Sequence, residues 1–387
     1  MASVTCDKSV DFVDMPTLRR GPRDIRIAAQ PGRPRILLES DSPYASRRVV
    51  VECDGSTTAA YLHDKTTAIA ATWIANHEQA PASTDLGRLN SGKAPVMPAG
   101  HVKHPDGRPM IEPDRLRAVW LEEGDGVAIL ENGELLAVIP GWSDMSHGMP
   151  GYCRDVIGQT PFAWSLDDAM EGLGPRVEQA ARFWRWRADH DAWARFQQAV
   201  LGHLLGKLGP GARYWDVGGG KEPQVGVSER PPTGYRNYTV LSTIGMCSQR
   251  MPVVERLTED VRTRSRIELA IATTLPSTDA ARIFLWLTQY PWRDVTWFGP
   301  GHTLRWYHEP ATFPLGGGNE AVLLLDEPGA LLGPEVPDLS GFTFAGDAVR
   351  WLWVVPITER ERLLARERGS ASLVTQLAAQ RRSWVAG

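Results

Sequence analysis

Cysteine is scarce in this sequence, and the cysteines lie far apart. They are Cys6, Cys53, Cys153 and Cys247. Zinc ribbons and thioredoxin-like sites need pairs of cysteines only a few residues apart, and small disulfide-held folds need a much denser set. The spacing therefore excludes these classes and predicts a protein whose thiols are reduced.

Long apolar runs and an excess of charge are also missing. No stretch approaches the roughly 20 apolar residues of a membrane-spanning helix, and the N-terminus lacks the apolar run of a signal peptide. The 42 Lys and Arg residues nearly balance the 46 Asp and Glu residues, for a net charge of −4. Nucleic-acid-binding domains usually carry a basic surface. We therefore expect a cytoplasmic protein that binds neither a membrane nor a nucleic acid.

The chain is instead long, apolar and rich in tryptophan. Its 387 residues are 42% hydrophobic, which suffices for two or three domains with sizeable cores. Tryptophan (15 residues) outnumbers phenylalanine (9) and tyrosine (8), and 12 of the tryptophans follow residue 150. These side chains belong either in a core or on a binding surface.

Composition changes along the chain predict four regions. Residues 1–46 are rich in arginine and proline and are expected to form a loosely ordered arm, in which residues 36–38 could pair as a short edge strand. Residues 47–142 are expected to form a β-rich domain, and residues 143–174 a connector that holds several glycines and prolines. Residues 175–387 are expected to form the main domain.

The β-rich region contains a predicted three-stranded meander. Its apolar runs are 116–121, 127–130 and 135–139, and Asn132-Gly133 separates the last two. Asn-Gly between apolar runs favours a tight hairpin, because both turn residues must adopt positive φ. Residues 68–76 fit either a strand or a helix.

The main domain is predicted to be α+β, with a mixed sheet and packed helices. One long helix is expected from Pro175 to Lys207, because apolar residues recur there at helical spacing. Thr358 and Glu361 form a capping-box pattern that opens another helix. The remaining predicted strands are 235–242, 267–272, 295–298, 303–307, 321–325 and 349–355, and the other helices are 277–289, with Ser277 or Thr278 as cap, and 370–380.

One strand has the form of a nucleotide-hydrolysis motif. Residues 321–325 are apolar and are followed by Asp326 and Glu327, as in a Walker B strand. That chemistry also requires a phosphate-binding loop, G-x-x-x-x-G-K-[ST]. The nearest match, residues 218–221, lacks the first glycine and is followed by Glu222 instead of Ser or Thr. A buried strand that ends in a polar turn is the favoured interpretation.

Other catalytic patterns are incomplete. His101 and His104 are three residues apart, but no third ligand has a clear spacing. Ser228 lacks the glycine pattern of a nucleophile elbow, and Cys247 has no general base beside it in sequence. We therefore predict no catalytic residue, no metal and no cofactor.

The aromatic segment 286–308 is the best candidate for a binding site. Trp, Tyr and Arg dominate the energetics of protein interfaces, and they are interleaved here. Trp292 follows a predicted helix directly, so both an exposed and a buried position are open for it. The candidate partner-binding residues are Tyr290, Trp292, Arg293, His302, Arg305 and His308.

Several segments resemble the Suppressor of fused domain in the order in which that family has them. They are Leu241–Met246, Arg266–Ile271, Leu287–His302 and Trp351–Glu359. The resemblance covers about residues 160 to 380. With the connector motif Gly158–Trp164 and the β-rich region before it, the whole chain is similar to bacterial, especially actinobacterial, Suppressor of fused domain proteins.

The resemblance implies an α+β fold with a mixed sheet, preceded by a smaller β-rich domain, and no catalytic activity. The animal member grips a short peptide between two lobes. We expect no second lobe here and transfer none of its binding residues. Bacterial relatives imply an immunity protein, which binds and neutralises a toxin.

Three hypotheses follow. The first is a non-catalytic protein-binding module, most specifically an immunity-type protein whose partner is a toxin. The second is a scaffold or regulator that sequesters another intracellular protein. The third is an unrecognised enzyme that uses the turn formed by Asp326 and Glu327.

Overall fold

The computed structural model describes residues 34–65, 67–217, 224–288, 290–307 and 311–387. Most of the expected N-terminal arm, the glycine turn 218–221 and His308 lie outside these ranges. The chain forms two compact units, residues 1–190 and 191–387, which are described separately. The domain boundaries expected at residues 46, 142 and 174 remain predictions.

The strands of the first unit are β1 (Arg35–Asp41), β2 (Arg48–Cys53), β3 (Thr57–Asp64), β4 (Thr67–Asn76), β5 (Leu116–Trp120), β6 (Val127–Glu131), β7 (Glu134–Ile139), β8 (Tyr152–Cys153) and β9 (Trp164–Ser165). Its helices are α1 (Leu86–Asn90) and α2 (Met170–Ala188).

The strands of the second unit are β10 (Tyr214–Asp216), β11 (Gly226–Arg230), β12 (Thr239–Ile244), β13 (Arg266–Thr273), β14 (Thr303–Arg305), β15 (Ala321–Leu325), β16 (Thr343–Phe344) and β17 (Asp347–Ile357). Its helices are α3 (Ala192–Leu208), α4 (Val261–Arg264), α5 (Ser277–Leu287), α6 (Tyr290–Arg293), α7 (Glu359–Arg368) and α8 (Ser370–Ala379). Among the described residues, none of the helices combines the length and the apolar character needed to cross a membrane.

The first unit contains two sheets that share one core. Strands β1 to β4 follow one another as an antiparallel meander, and β5 to β9 form the second sheet in chain order. The turn at Asn132 and Gly133 joins β6 and β7, and both residues have positive φ. The predicted three-stranded meander is therefore confirmed, and residues 68–76 form a strand, not a helix.

Strand β6 is buried on both faces. Val127 and Ile129 belong to the core that the two sheets share, whereas Ala128 and Leu130 belong to a second core that includes Val177 of α2. Because side chains alternate across a strand, a continuous apolar run like this one requires cover on both sides of the sheet. Helix α2 provides the cover on the second side.

The second unit is built on one mixed sheet. Its strand order is β10-β11-β12-β13-β17-β15-β14, and β16 adds to β17. The β13–β17 pair is parallel and the other pairs are antiparallel. Parallel strands need a long crossover connection, and the chain between β13 and β17 contains α5, α6, β14 and β15. Helix α5 contacts β11, β12 and β13, and α7 contacts β14 and β15. The fold is α+β, as predicted.

The long helix expected from Pro175 to Lys207 is wrong as a single element. The chain forms α2 and α3, and it leaves the helical conformation at Asp189, whose φ and ψ are −71° and 121°. Helix α2 also begins before Pro175, at Met170. The apolar periodicity continues across the break, so the period alone could not reveal it.

Two further local predictions differ from the structure. Residues 295–298 are not a strand, because Val295 adopts a left-handed conformation with φ of 49°. Helix α5 has no side-chain cap, and the Ser277 hydroxyl instead donates to Glu229 Oε1 at 2.9 Å. The capping box of α7 is confirmed, with Thr358 and Glu361 bonded to each other's backbone N–H.

Candidate functional site

The first half of the aromatic segment belongs to the core of the second unit. Trp286 packs edge-on against Trp306 with ring centroids 5.1 Å apart, and Trp306 packs against Phe313 at 5.8 Å. The Trp286 indole N–H donates to the Tyr290 hydroxyl at 3.0 Å. These edge-to-face contacts are typical of aromatic packing inside proteins.

Trp292 takes the buried alternative. It is 1% exposed, and its indole N–H donates to the Arg250 carbonyl oxygen at 2.9 Å. All 15 tryptophans lie within the described residues, and each is buried or half-buried. The tryptophan excess therefore does not mark a binding surface by itself, and the Trp292 side chain is not available to a partner.

Beside this core lies an open groove with a volume of about 370 Å³. Trp297 and His302 form one wall, with their rings edge-on at 4.7 Å. Burial lowers the pKa of His302, although its hydrogen bond to the Trp297 backbone opposes the shift. His302 is therefore neutral near pH 7, and the groove suits an uncharged side chain. The lining residues are Tyr290, Thr296, Trp297, Phe298, His302, Thr303 and Leu304.

The groove borders the edge strand β14. On its inner side β14 pairs with β15. Two hydrogen bonds continue this ladder beyond the ends of β14. The Leu324 N–H donates to the His302 carbonyl, and the Trp306 N–H donates to the Glu320 carbonyl. Backbone groups alternate in direction along an antiparallel strand. The N–H and C=O groups of Thr303 and Arg305 therefore point away from β15. No described strand pairs with that outer side.

Two exposed side chains stand at the end of β14. Arg305 lies over the ring of Tyr307, with 5.3 Å from the guanidinium carbon to the ring centroid, and Tyr307 is 72% exposed. Arg305 also lies 3.8 Å from Glu359, which accepts two hydrogen bonds of 2.7 Å from Arg362. The hydrogen bond and the charge of Arg362 lower the pKa of Glu359, so this end of the strand is charged.

The six predicted binding residues have different positions. Tyr290 and His302 line the groove, and Arg305 is the exposed last residue of β14, next in sequence to the groove residue Leu304. Arg293 is exposed on α6, Trp292 is buried, and His308 lies outside the described residues.

The prediction omitted Trp297 and Tyr307 from the binding residues. The strand pattern signals Tyr307, because exposed Arg305, buried Trp306 and exposed Tyr307 alternate as a half-buried strand requires. No comparable signal exists for Trp297, since it lies in an irregular loop.

The other candidate chemical groups do not converge. Within the described ranges, no three His, Cys, Asp or Glu side chains are arranged to hold a metal ion. Asp326 pairs at the surface with Arg350 at 2.8 Å. Ser228 is buried and accepts a hydrogen bond from Arg230. Burial raises the pKa of Cys247 well above its usual value, which disfavours the thiolate.

One family model matches the sequence of the second unit. Residues 221–386 match the family model described as Suppressor of fused protein (SUFU). Over these residues, which make up less than half of the chain, the second unit is similar to the Suppressor of fused domain. The match begins at residue 221, whereas the resemblance noted in the sequence begins near residue 160. The matched residues all lie within the unit of residues 191–387.

Solved structures of Suppressor of fused proteins are similar to this chain at low identity. A putative SUFU homolog from Neisseria gonorrhoeae FA 1090 is 17% identical to this chain, with a TM-score of 0.35. The match covers 50% of this chain and 93% of the homolog. The Sufu-Fu complex structure is 13% identical, with coverage of 46% and 82% and a TM-score of 0.33. Drosophila Suppressor of Fused is 14% identical, with coverage of 49% and 50% and a TM-score of 0.29. No curated protein matches the chain.

Proposed function

We propose that this protein is a non-catalytic protein-binding module that holds an extended segment of a protein partner along β14. Proteins of the Suppressor of fused family are known for protein–protein interaction. The observation that carries the proposal is the open outer side of β14 beside an aromatic groove.

Strand addition gives the edge its binding chemistry. An extended peptide that lies beside an edge strand bonds to the outward N–H and C=O groups, and this contact does not depend on the peptide's side chains. Thr303 and Arg305 offer two such donors and two such acceptors. The adjacent groove supplies selectivity, since alternate side chains of an added strand project to the same face.

The groove favours an apolar or aromatic residue of the partner. Its walls include Trp297, Tyr290 and Leu304, and its histidine is neutral. At the end of β14, the exposed Arg305 and Tyr307 are of the residue types that contribute most to interface energies. A buried apolar anchor surrounded by a polar rim is the usual arrangement at protein interfaces.

The finer proposal is that the partner is a toxin, which this protein neutralises as an immunity-type protein. It is supported by the resemblance to bacterial Suppressor of fused domain proteins. Blocking a toxin requires a stable complex, and an edge strand with an anchoring groove can hold one. A regulator that sequesters another intracellular protein would use the same surface.

The test changes the outward N–H at position 303. Proline lacks an N–H and is tolerated on edge strands, so Thr303→Pro removes a donor from the outer side and leaves the β14–β15 ladder in place. The matched control is Asp216→Pro on β10, the opposite edge strand. Its N–H also points outward, because the β10–β11 ladder bonds through Arg213 and Val217.

The wild type and both variants are each co-expressed with candidate toxins from the genes adjacent to the gene for this protein. We expect the wild type and Asp216→Pro to protect the cells and bind the toxin, and Thr303→Pro to lose at least about tenfold in affinity, in line with the loss of a backbone hydrogen bond and an added clash. Equal binding by both proline variants contradicts the β14 site. A complex that forms through β14 without protection contradicts only the toxin version and favours the regulator.

A further inference from the structure

The first unit brings a cysteine and a histidine together at one end of its four-stranded sheet. Cys53 is the last residue of β2, and Thr58 lies opposite it in β3. His77 follows β4 directly and donates its backbone N–H to the Ser56 carbonyl at 2.8 Å. Three neighbouring strands therefore fix the positions of the three side chains, although Cys53 and His77 are 24 residues apart in sequence.

The histidine ring is held by hydrogen bonds at both nitrogens. Nδ1 lies 3.1 Å from the Arg108 carbonyl oxygen, and Nε2 lies 2.7 Å from the Thr58 hydroxyl. A carbonyl oxygen can only accept, so Nδ1 carries a proton, and Nε2 is the nitrogen that can take up another. Thr58 is the cross-strand partner of Cys53, so the two side chains lie on one face of the sheet, and the Thr58 hydroxyl connects His77 to the neighbourhood of the thiol. A base held in place by a third group is the arrangement that activates protein nucleophiles.

A backbone donor also faces the sulfur. The N–H of Gly55 donates to Cys53 Sγ at 3.3 Å. The turn is held in this conformation by Asp54, whose Oδ1 accepts from the N–H groups of Ser56 and Thr57 at 3.1 Å. Gly55 has a φ of 97°, which glycine adopts without strain. The donor is therefore in place before any reaction.

The surroundings of Cys53 favour a thiolate, unlike those of the other described cysteines. Burial alone would raise the pKa of Cys53, but the neighbouring polar groups of His77, Thr58 and the Gly55 N–H together lower it. Burial would lower the pKa of His77, as would the charge of Arg108, but the hydrogen bond to the Arg108 carbonyl and the nearby Cys53 raise it. Burial instead raises the pKa of Cys153 to about 12.

A flexible side chain covers the sulfur. Cys53 is 2% exposed, and the sulfur atom of Met110 lies 4.0 Å from Sγ. Met110 is itself 41% exposed. Methionine has several rotatable bonds and packs adaptably, so this exposed side chain can move aside for a small reagent.

We propose that Cys53 is a reactive thiol that is oxidised by peroxides, with His77 as the proton donor of the step. The Cys53 proton first moves to His77 by way of the Thr58 hydroxyl, which gives one proton to Nε2 and takes one from the thiol, and a thiolate and an imidazolium remain. The thiolate sulfur attacks one peroxide oxygen, the S–O bond forms and the O–O bond breaks. His77 protonates the departing oxygen, so hydrogen peroxide yields water. The sulfur loses two electrons and becomes a sulfenic acid, and the peroxide accepts these two electrons as its O–O bond breaks.

The test measures how the rate of Cys53 alkylation by iodoacetamide depends on pH. The full-length protein is used, and mass spectrometry of peptides reads each cysteine separately, so Cys6 does not interfere. We expect a midpoint for Cys53 below the ordinary thiol value of about 8.5 and no labelling of Cys153 or Cys247 in the folded protein. His77→Gln should raise the midpoint and slow labelling at pH 7 about tenfold for each unit of that rise. Met110→Ala should speed labelling at every pH without moving the midpoint.

A second readout follows the oxidation itself. After treatment with hydrogen peroxide, dimedone should label the Cys53 peptide and leave those of Cys153 and Cys247 unlabelled. Three results would each overturn the proposal. The first is a Cys53 midpoint of about 8.5 or above, and the second is an unchanged midpoint in a folded His77→Gln variant. The third is the absence of a dimedone adduct on Cys53 in both the wild type and Met110→Ala. If His77→Gln does not fold, the wild-type midpoint and Met110→Ala decide.

Discussion

The central strand β13 and the edge strand β14 belong to one sheet, yet they use their polar groups in opposite ways. Every residue of β13 is buried, including Arg266 and Glu268, and these charged side chains bond inside the unit. Strand β14 is half-exposed, and its outward backbone groups face away from the sheet. Charged groups at the centre therefore bond within the unit, whereas polar groups at the edge are available to a partner.

The network at the centre joins distant parts of the chain. Asp347, at the start of β17, accepts from Arg266 at 2.8 Å and from Arg250 at 2.7 and 2.8 Å. Glu268 accepts from the backbone N–H groups of Gly245 and Cys247 at 2.8 and 3.1 Å. Buried charges are tolerated only when they are paired and hydrogen-bonded in this way.

The largest expected effect comes from removing the shared carboxylate. Asp347→Ala leaves the fully buried Arg266 guanidinium without that counter-charge, and such changes typically cost about 3 to 5 kcal/mol of unfolding free energy. Urea unfolding measures it. The control is Asp326→Ala, which breaks the surface pair with Arg350 and should cost about 1 kcal/mol or less. Similar losses in the two variants contradict the division between a closed centre and an open edge.

An intermediate effect concerns pH, and the two buried carboxyls act with opposite sign. Burial would raise the pKa of Asp347, but Arg250 and Arg266 lower it below its usual 3.8. Its stabilisation is therefore present above pH 3.8 and is lost as the pH falls through the folded pKa. Burial raises the pKa of Glu268 above 4.5 despite its hydrogen bonds, so its contribution is present below pH 4.5 and is lost as the pH rises.

Two neutral variants separate these contributions. The stability advantage of the wild type over Asp347→Asn should narrow as the pH falls below 3.8. The stability of Glu268→Gln relative to the wild type should increase as the pH rises above 4.5, because glutamine keeps an acceptor for Gly245 and Cys247 and has no charge to bury. Urea titrations at several pH values measure both differences. A pH-independent difference for either variant contradicts the assigned pKa direction.

Local features of this fold were readable from the sequence. The Asn132-Gly133 hairpin, the capping box at Thr358 and the apolar strand β15 each depend on a few consecutive residues. The Suppressor of fused resemblance also rested on short ordered segments, and the family match lies over most of them. Such features are set by turn chemistry, capping and side-chain alternation, which act over short distances.

The site and the buried network depended on contacts that no local pattern reveals. Asp347 lies 81 residues from Arg266, and nothing in the sequence around either residue pairs them. The groove forms because the loop that holds Trp297 lies beside β14. The sequence predicted a regular strand for this loop, at residues 295–298. The burial of Trp292 depends on the Arg250 carbonyl, 42 residues away.

The smallest effect on stability, and the sharpest test of the edge, is expected from Tyr307→Ala. Tyr307 is 72% exposed, so its removal should change the unfolding free energy by no more than about 0.5 kcal/mol. If its ring contacts the partner as an interface anchor, affinity should fall roughly 30-fold, which corresponds to the ~2 kcal/mol threshold for such residues. Tyr235→Ala is the matched control, because that tyrosine is fully exposed in the same unit. Calorimetric titration of the partner into both variants compares them. Equal affinities of the two variants would place the binding face away from β14. If only Tyr307→Ala loses affinity and its unfolding free energy is unchanged, binding at the edge is separate from stability at the centre.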